Sequence, residues 1–120
     1  GIYTADMFSK SLNYCRPYSG SSVQYMFLCE VALGKEKAVD DMNLSELLQL
    51  QKGFNSVKAM GSKQPDPQYD VTLASGTRIP LGGKLVEQAP KKDHYYWLPV
   101  NEYIVYEPSQ IRIRFLVAFS

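Results

Sequence analysis

The stretch Leu98–Ser120, LPVNEYIVYEPSQIRIRFLVAFS, decides the fold class. Its two apolar, β-branched runs predict strands over Tyr103 to Tyr106 and Ile111 to Phe119, joined by a turn at Pro108-Ser109-Gln110. In the second run Ile111, Ile113, Phe115, Val117 and Phe119 alternate with Arg112 and Arg114, the period of a strand with one buried face. One residue fits poorly. Glu102 opens a run as greasy as Tyr-Ile-Val-Tyr, and a desolvated carboxylate costs energy unless it is at a wet edge or in use.

Working outward, Val23 to Gly34 is long and nearly all apolar, which predicts a strand buried on both faces and stopped by Gly34. The opening residues GIYTADMFSKSLNYC read as a short strand running into a helix. Asp6 is the expected N-cap, and Met7 to Cys15 would form about two and a half turns. Phe8, Leu12 and Cys15 would share one helix face, and Met7, Ser11 and Tyr14 another. Arg16 to Ser22 is a loop by its Pro, Gly and Ser content, and Asn43 to Leu50 has short helical character. From Gln51 to Pro99 glycine and proline dominate, with short strands expected around Val71–Leu73 and Thr77–Leu81. The expected fold is β-rich α+β, at most one domain, with no internal repeat.

The bulk numbers exclude several classes. A chain of 120 residues with 45% hydrophobic and 21% charged residues has an ordinary globular composition. A net charge of +1 gives no bulk attraction for nucleic acid or an anionic membrane. No apolar run approaches the roughly 18 residues that span a bilayer, and no secretory signal opens the chain, so the expectation is soluble and intracellular. Cys15 and Cys29 form neither a metal spacing nor a disulfide framework and are expected to be reduced. No metal site is expected.

Motifs with a known mechanism are absent: there is no G-x-G-x-x-G, Walker A loop, H-E-x-x-H, C-x-x-C or G-x-S-x-G. The single histidine, His94, has no nucleophile beside it in sequence and reads as a solvated loop residue. What remains is nine tyrosines and one misplaced acid, Glu102. Tyr3, Tyr14, Tyr103 and Tyr106, each considered alone, read as core or rim residues.

Taken together, GIYTADMFSKSLNYC (1–15), EVALG (30–34) and NEYIVYEPSQIRIRFLVAF (101–119) resemble successive landmarks of the catalytic domain of poly(ADP-ribose) polymerases. Between them KGFNSVKAMGSKQPDPQ (52–68) and GTRIPLGG (76–83) resemble that family's acceptor-side loop region. The resemblance is collinear over essentially the whole chain. It implies an α+β, ADP-ribosyltransferase-like fold with mixed and antiparallel sheets and few short helices, residues 1–120 being the C-terminal part of that catalytic domain. It also implies an enzyme that splits NAD+ at the nicotinamide–ribose bond and passes ADP-ribose to a protein or a growing polymer. NAD+ would then be a substrate, with no cofactor.

By this resemblance Glu102 is the catalytic glutamate, holding the 2′-hydroxyl of the nicotinamide ribose, and Tyr3 belongs to the family's His-Tyr-Glu set. Ser11 would bond the nicotinamide carboxamide, Tyr14 would stack on its ring, and Lys10 matches a lysine beside the glutamate. A glutamate at this position favours chain elongation over mono-transfer. The resemblance further implies acceptor proteins and poly(ADP-ribose) as partners, the nucleus (with the cytoplasm as the other compartment), a DNA-damage-responsive role, and DNA contact only through other domains. Two departures stand out. Thr4 replaces an aromatic residue of many relatives. The family's histidine, its nicotinamide-binding glycine and its adenosine-side loop belong to an N-terminal half that residues 1–120 do not contain. The expectation is that this stretch does not turn over NAD+ alone. A non-catalytic module that binds NAD+, ADP-ribose or a partner protein is the alternative.

Overall fold

The computed structural model describes residues 1–39, 49–88 and 98–120. The helical segment expected around Asn43 to Leu50 and His94 lie outside the described residues, apart from Gln49 and Leu50, which are not helical. Eleven strands, one α-helix and two 3-10 turns follow one another among the described residues, the mixed-sheet α+β architecture that the sequence predicts.

The core is a four-stranded sheet of order β1-β10-β4-β3, made of β1 (Ile2–Thr4), β10 (Glu102–Val105), β4 (Ser56–Ala59) and β3 (Glu36–Val39). β10 lies antiparallel to both neighbours, with Tyr3 opposite Ile104 and Ala59 opposite Glu102, while β3 runs parallel to β4. Strand alternation then sorts the side chains. Val39, Val57 and Ile104 share one face and form the hydrophobic cluster, with Val57 and Ile104 each only 1% exposed. Tyr103, Lys58 and Thr4 share the other, where the Lys58 ammonium stands 5.6 Å from the centre of the Tyr103 ring.

A second sheet, β8-β5-β9, joins β8 (Leu85–Glu87), β5 (Gly61–Pro65) and β9 (Leu98–Val100). Two chain segments cross between the sheets at one corner. β4 leads through Met60 into β5, and β9 leads through Asn101 into β10. The pairing sense changes there: β10 and β4 are antiparallel, whereas β5 and β9 are parallel. The corner is tight. Gly61 is buried, and a Cβ at that position would collide with the backbone of Val100.

β11 (Ile111–Phe119) pairs antiparallel with β2 (Gln24–Val31) as a separate two-stranded ribbon. The expected strands are present, but not the expected burial. Tyr25, Phe27, Leu28, Phe115 and Leu116 are all more than half exposed: among the described residues no second layer covers these side chains on either face of the ribbon. The alternation of β11 is also interrupted. Its register slips between Ile113 and Phe115, so Arg114 as well as Arg112 comes to Glu30. Arg114 grips Glu30 through Nη2 at 2.7 Å and Nε at 2.9 Å, and the Thr77 hydroxyl donates to the same carboxylate at 3.2 Å. Gln110, in the 3-10 turn Pro108–Gln110, ties the ribbon to the core: its Oε1 accepts from the amides of Tyr106 and Glu107, and its Nε2 donates to the carbonyls of Ala32 and Asn55.

The punctuated region is less irregular than its composition suggests. The hairpin of β6 (Val71–Thr72) and β7 (Arg78–Ile79) falls where strands are expected, turning through Gly76 at φ +87°. β4, β5, β8 and β9, and β3 before them, are strands that the sequence does not announce. Helix α1 (Phe8–Leu12) is shorter than expected. Its N-cap is Met7, and no side chain caps it, because the Asp6 carboxylate is engaged elsewhere.

Candidate active site

The ends of the chain build the site. β1 delivers residues 2–4 alongside β10, and the next turn swings α1 across the start of β10. The Lys10 ammonium thereby meets the Glu102 carboxylate, Nζ to Oε1, at 2.6 Å. The two side chains are only 14% and 17% exposed, so the pair is largely shielded from water yet reachable from one side. That placement accounts for an acid at the head of an apolar strand. Glu102 stands at the corner between the sheets, where solvent still reaches it and a cation is supplied from 92 residues away in sequence.

Tyr3 lies opposite Ile104, so it shares a sheet face with Glu102 on the neighbouring strand, one diagonal step away. It is 58% exposed and open to a ligand on that face. Ser11 follows Lys10 on α1 and is half-buried. Tyr14 lies past the last helical turn, 76% exposed, and its amide donates to the Ser11 carbonyl at 3.0 Å. The helical face expected to carry Ser11 and Tyr14 is therefore replaced by a turn that keeps them adjacent. Phe8 points to the ribbon, meeting Phe119 edge to face with centroids 5.1 Å apart.

Behind the carboxylate lies a buried polar cluster with no counterpart in the sequence reading. Asn101, wholly buried, donates from Nδ2 to Asp6 Oδ2 at 3.0 Å and accepts at Oδ1 from the Gly61 amide at 3.0 Å and from Gln88 Nε2. Gln88 Nε2 also donates to the Gly61 carbonyl at 2.8 Å. The Tyr103 hydroxyl donates to Asp6 Oδ2 at 2.9 Å. Burial, reinforced by the Asp6 charge, pushes the Tyr103 phenol far above its ordinary value, so it stays a proton donor to Asp6. The available signal was Asn101 itself, an amide placed among apolar strand residues.

A cavity of about 190 Å³ opens on the Tyr103 face of the sheet, opposite to Glu102, lined by Asp6, Lys58, Gln64, Asp70, Arg78 and Tyr103 among others. It belongs to the back of the site. Among the described residues no group of His, Cys, Asp and Glu has the arrangement of a metal centre. Cys15 and Cys29 are free thiols, and burial pushes the Cys29 thiol up.

The chain matches the model of the poly(ADP-ribose) polymerase catalytic domain over residues 1–120. It is 42% identical to poly(ADP-ribose) polymerase 2 of Arabidopsis thaliana over 119 residues, covering 98% of the chain and 18% of that protein. It is 39% identical over 118 residues to poly(ADP-ribose) polymerase 1 of Caenorhabditis elegans, and 39% identical over 117 residues to human poly(ADP-ribose) polymerase 2. Each match covers 98% of the chain, but only 12% and 20% of these two relatives. The chain thus spans a fifth or less of the length of these curated relatives. With its site assembled from both ends of the sequence and its match unbroken from first residue to last, the chain belongs to the poly(ADP-ribose) polymerase catalytic domain family.

Proposed function

We propose that this chain supplies the nicotinamide-side floor and the catalytic carboxylate of an NAD+-consuming ADP-ribosyltransferase that elongates poly(ADP-ribose). The observation that carries this reading is the shielded Lys10–Glu102 contact at 2.6 Å, with Tyr3 on the same sheet face and Ser11 on the same helix as Lys10. NAD+ is the substrate, and no cofactor or metal takes part. Ser11 bonds the nicotinamide carboxamide, and Tyr14, exposed beside it, stacks on the ring.

In this reaction the bond between the ribose C1′ and the nicotinamide nitrogen breaks, and its electron pair leaves with the neutral base. Positive charge develops at C1′ as in glycoside transfer. Glu102 accepts a hydrogen bond from the ribose 2′-hydroxyl and stabilises that charge electrostatically. During elongation the acceptor hydroxyl attacks C1′, forms the new bond, and yields its proton to the carboxylate. Lys10 anchors the carboxylate through one oxygen, leaving the other to serve the sugar. Tyr3 borders the same face.

The histidine, the nicotinamide-binding glycine and the adenosine contacts come from residues N-terminal to this stretch in the complete domain. Relatives at least five times longer support this, as does the apolar β2–β11 ribbon, exposed on both faces. Acceptor proteins and poly(ADP-ribose) are the partners, DNA is met through other domains, and the nucleus, in a DNA-repair setting, is the compartment. The test is Glu102→Gln in a complete catalytic domain. Polymer synthesis should fall by about 10²-fold or more, as when one stabilising group of a developing charge is removed, while NAD+ binding persists. Unchanged polymer synthesis removes Glu102 from this role.

A further inference from the structure

We propose that Asn101 is a positioning residue for Glu102, acting through Asp6; this rests on the catalytic reading of Glu102 above. The two neighbours face opposite ways. Glu102 points to the face of Ile104 and Tyr3, whereas Asn101 and Tyr103 both reach Asp6 on the other. Asp6 and Lys10 are carried on one short connection after β1, four residues apart. That connection therefore grips the head of β10 from both sides, by Asp6 to Asn101 and Tyr103 behind and by Lys10 to Glu102 in front.

The amide is suited to this place. At the corner between the sheets, ladder pairing stops and the Gly61 amide loses its strand partner; Asn101 Oδ1 supplies one. Nδ2 faces a carboxylate, so one end of the side chain must accept and the other must donate. An aspartate of the same shape accepts at both ends and sets one carboxylate against another. A leucine leaves the buried Gly61 amide without its partner and takes one hydrogen bond each from Gln88 and Asp6, which keep those to the Gly61 carbonyl and the Tyr103 hydroxyl. In either case the connection bearing Lys10 and Ser11 loses one of its ties to the head of the strand bearing Glu102 and is held there less firmly. Displacements of about 1 Å between reacting groups cost on the order of 100-fold in rate.

The test uses a complete catalytic domain carrying Asn101→Asp, then Asn101→Asp together with Asp6→Asn, which reverses donor and acceptor and restores the pairing. Glu102→Gln serves as a control. Nicotinamide release gives kcat and KM for NAD+, and denaturation gives the folded fraction. The expected result is that Asn101→Asp lowers kcat by about tenfold or more, with KM changed by less than about threefold, and that the paired exchange recovers most of kcat. A folded Asn101→Asp domain with the kcat of the parent overturns the proposal, as does a loss that merely follows the unfolded fraction. Should only the paired exchange fold, parental kcat supports the proposal and a dead enzyme overturns it. If neither folds, Asn101 is a folding residue and the proposal falls. An unaffected Glu102→Gln control would instead sink the reading of Glu102 itself, and the positioning role with it.

Discussion

Replacing Lys10 by Met and Glu102 by Gln, singly and together, in a complete catalytic domain tests whether the ion pair exists in solution and what it contributes. At 2.6 Å, with side chains 14% and 17% exposed, the gross attraction is about 6 kcal/mol at an effective dielectric of about 20. Dehydrating two ions to that degree takes back most of it, and the remaining exposure weakens the rest. Lys10→Met leaves a shielded carboxylate without its cation and should cost about 2 kcal/mol; Glu102→Gln leaves the more flexible ammonium and should cost about 1–2 kcal/mol. The double variant has nothing left unpaired, so its cost should fall short of the sum by about 1–3 kcal/mol. The assay is urea denaturation of the four proteins, using midpoints at constant slope. The coupling should persist at raised salt, since ions at contact distance are screened little. A coupling below about 0.5 kcal/mol would refute the pairing. Lys10 would then be a solvated helix lysine, and the shielding of Glu102 would need another cause.

Three other outcomes are expected. Ile104→Ala, at the centre of the small core beside Val57, should destabilise by about 2–4 kcal/mol in the same denaturation assay, with the transition remaining single. The Glu30 carboxyl is held below its ordinary value of 4.5 chiefly by the Arg114 hydrogen bond. Its stabilisation is thus present above that value and lost as pH falls through the lowered one; Glu30→Gln should flatten that acid-side decline in a melting series against pH. Residues 1–120 alone expose Phe27, Leu28, Phe115 and Leu116 on one ribbon, so they should self-associate in light scattering, and Phe115→Lys should reduce the association.

Much of the fold was legible where a strand has a long apolar run or a clear alternation. β2, β10 and β11 fall where expected, and so does the β6–β7 hairpin, because Gly76 supplies the positive φ that its turn requires. β4 was not legible, although Val57 and Ala59 are among the most buried residues, at 1% and 3% exposed. Its sequence is Ser-Val-Lys-Ala, four residues between Asn55 and Met60, and its strand character comes from being clamped between β10 and β3. Tertiary pairing overrides propensity in such short strands. The burial of β2 was misjudged for a related reason. Apolar residues on both faces predict two covering layers, while among the described residues Phe27 and Leu28, on opposite faces, both stay more than half exposed.

At the site, local rules failed in an informative way. Asp6 stands before α1 as an N-cap should, yet its carboxylate turns to Asn101 and Tyr103, and the helix begins uncapped. Forgoing a cap costs about 1 kcal/mol, so the competing bonds must contribute at least as much, which two buried hydrogen bonds to a charged acceptor can do. Glu102 breaks the pattern of its own strand just as Asp6 breaks that of its helix. Both departures sit at the corner where two strands change sheets, and together they lock one short connection across the head of β10. Sequence periodicity is blind to such a corner, because it describes residues within an element and not the place where elements exchange partners. An acid that contradicts its strand and an acid that abandons its helix are two signs of one event: the fold spends its local rules where it must hold a carboxylate still.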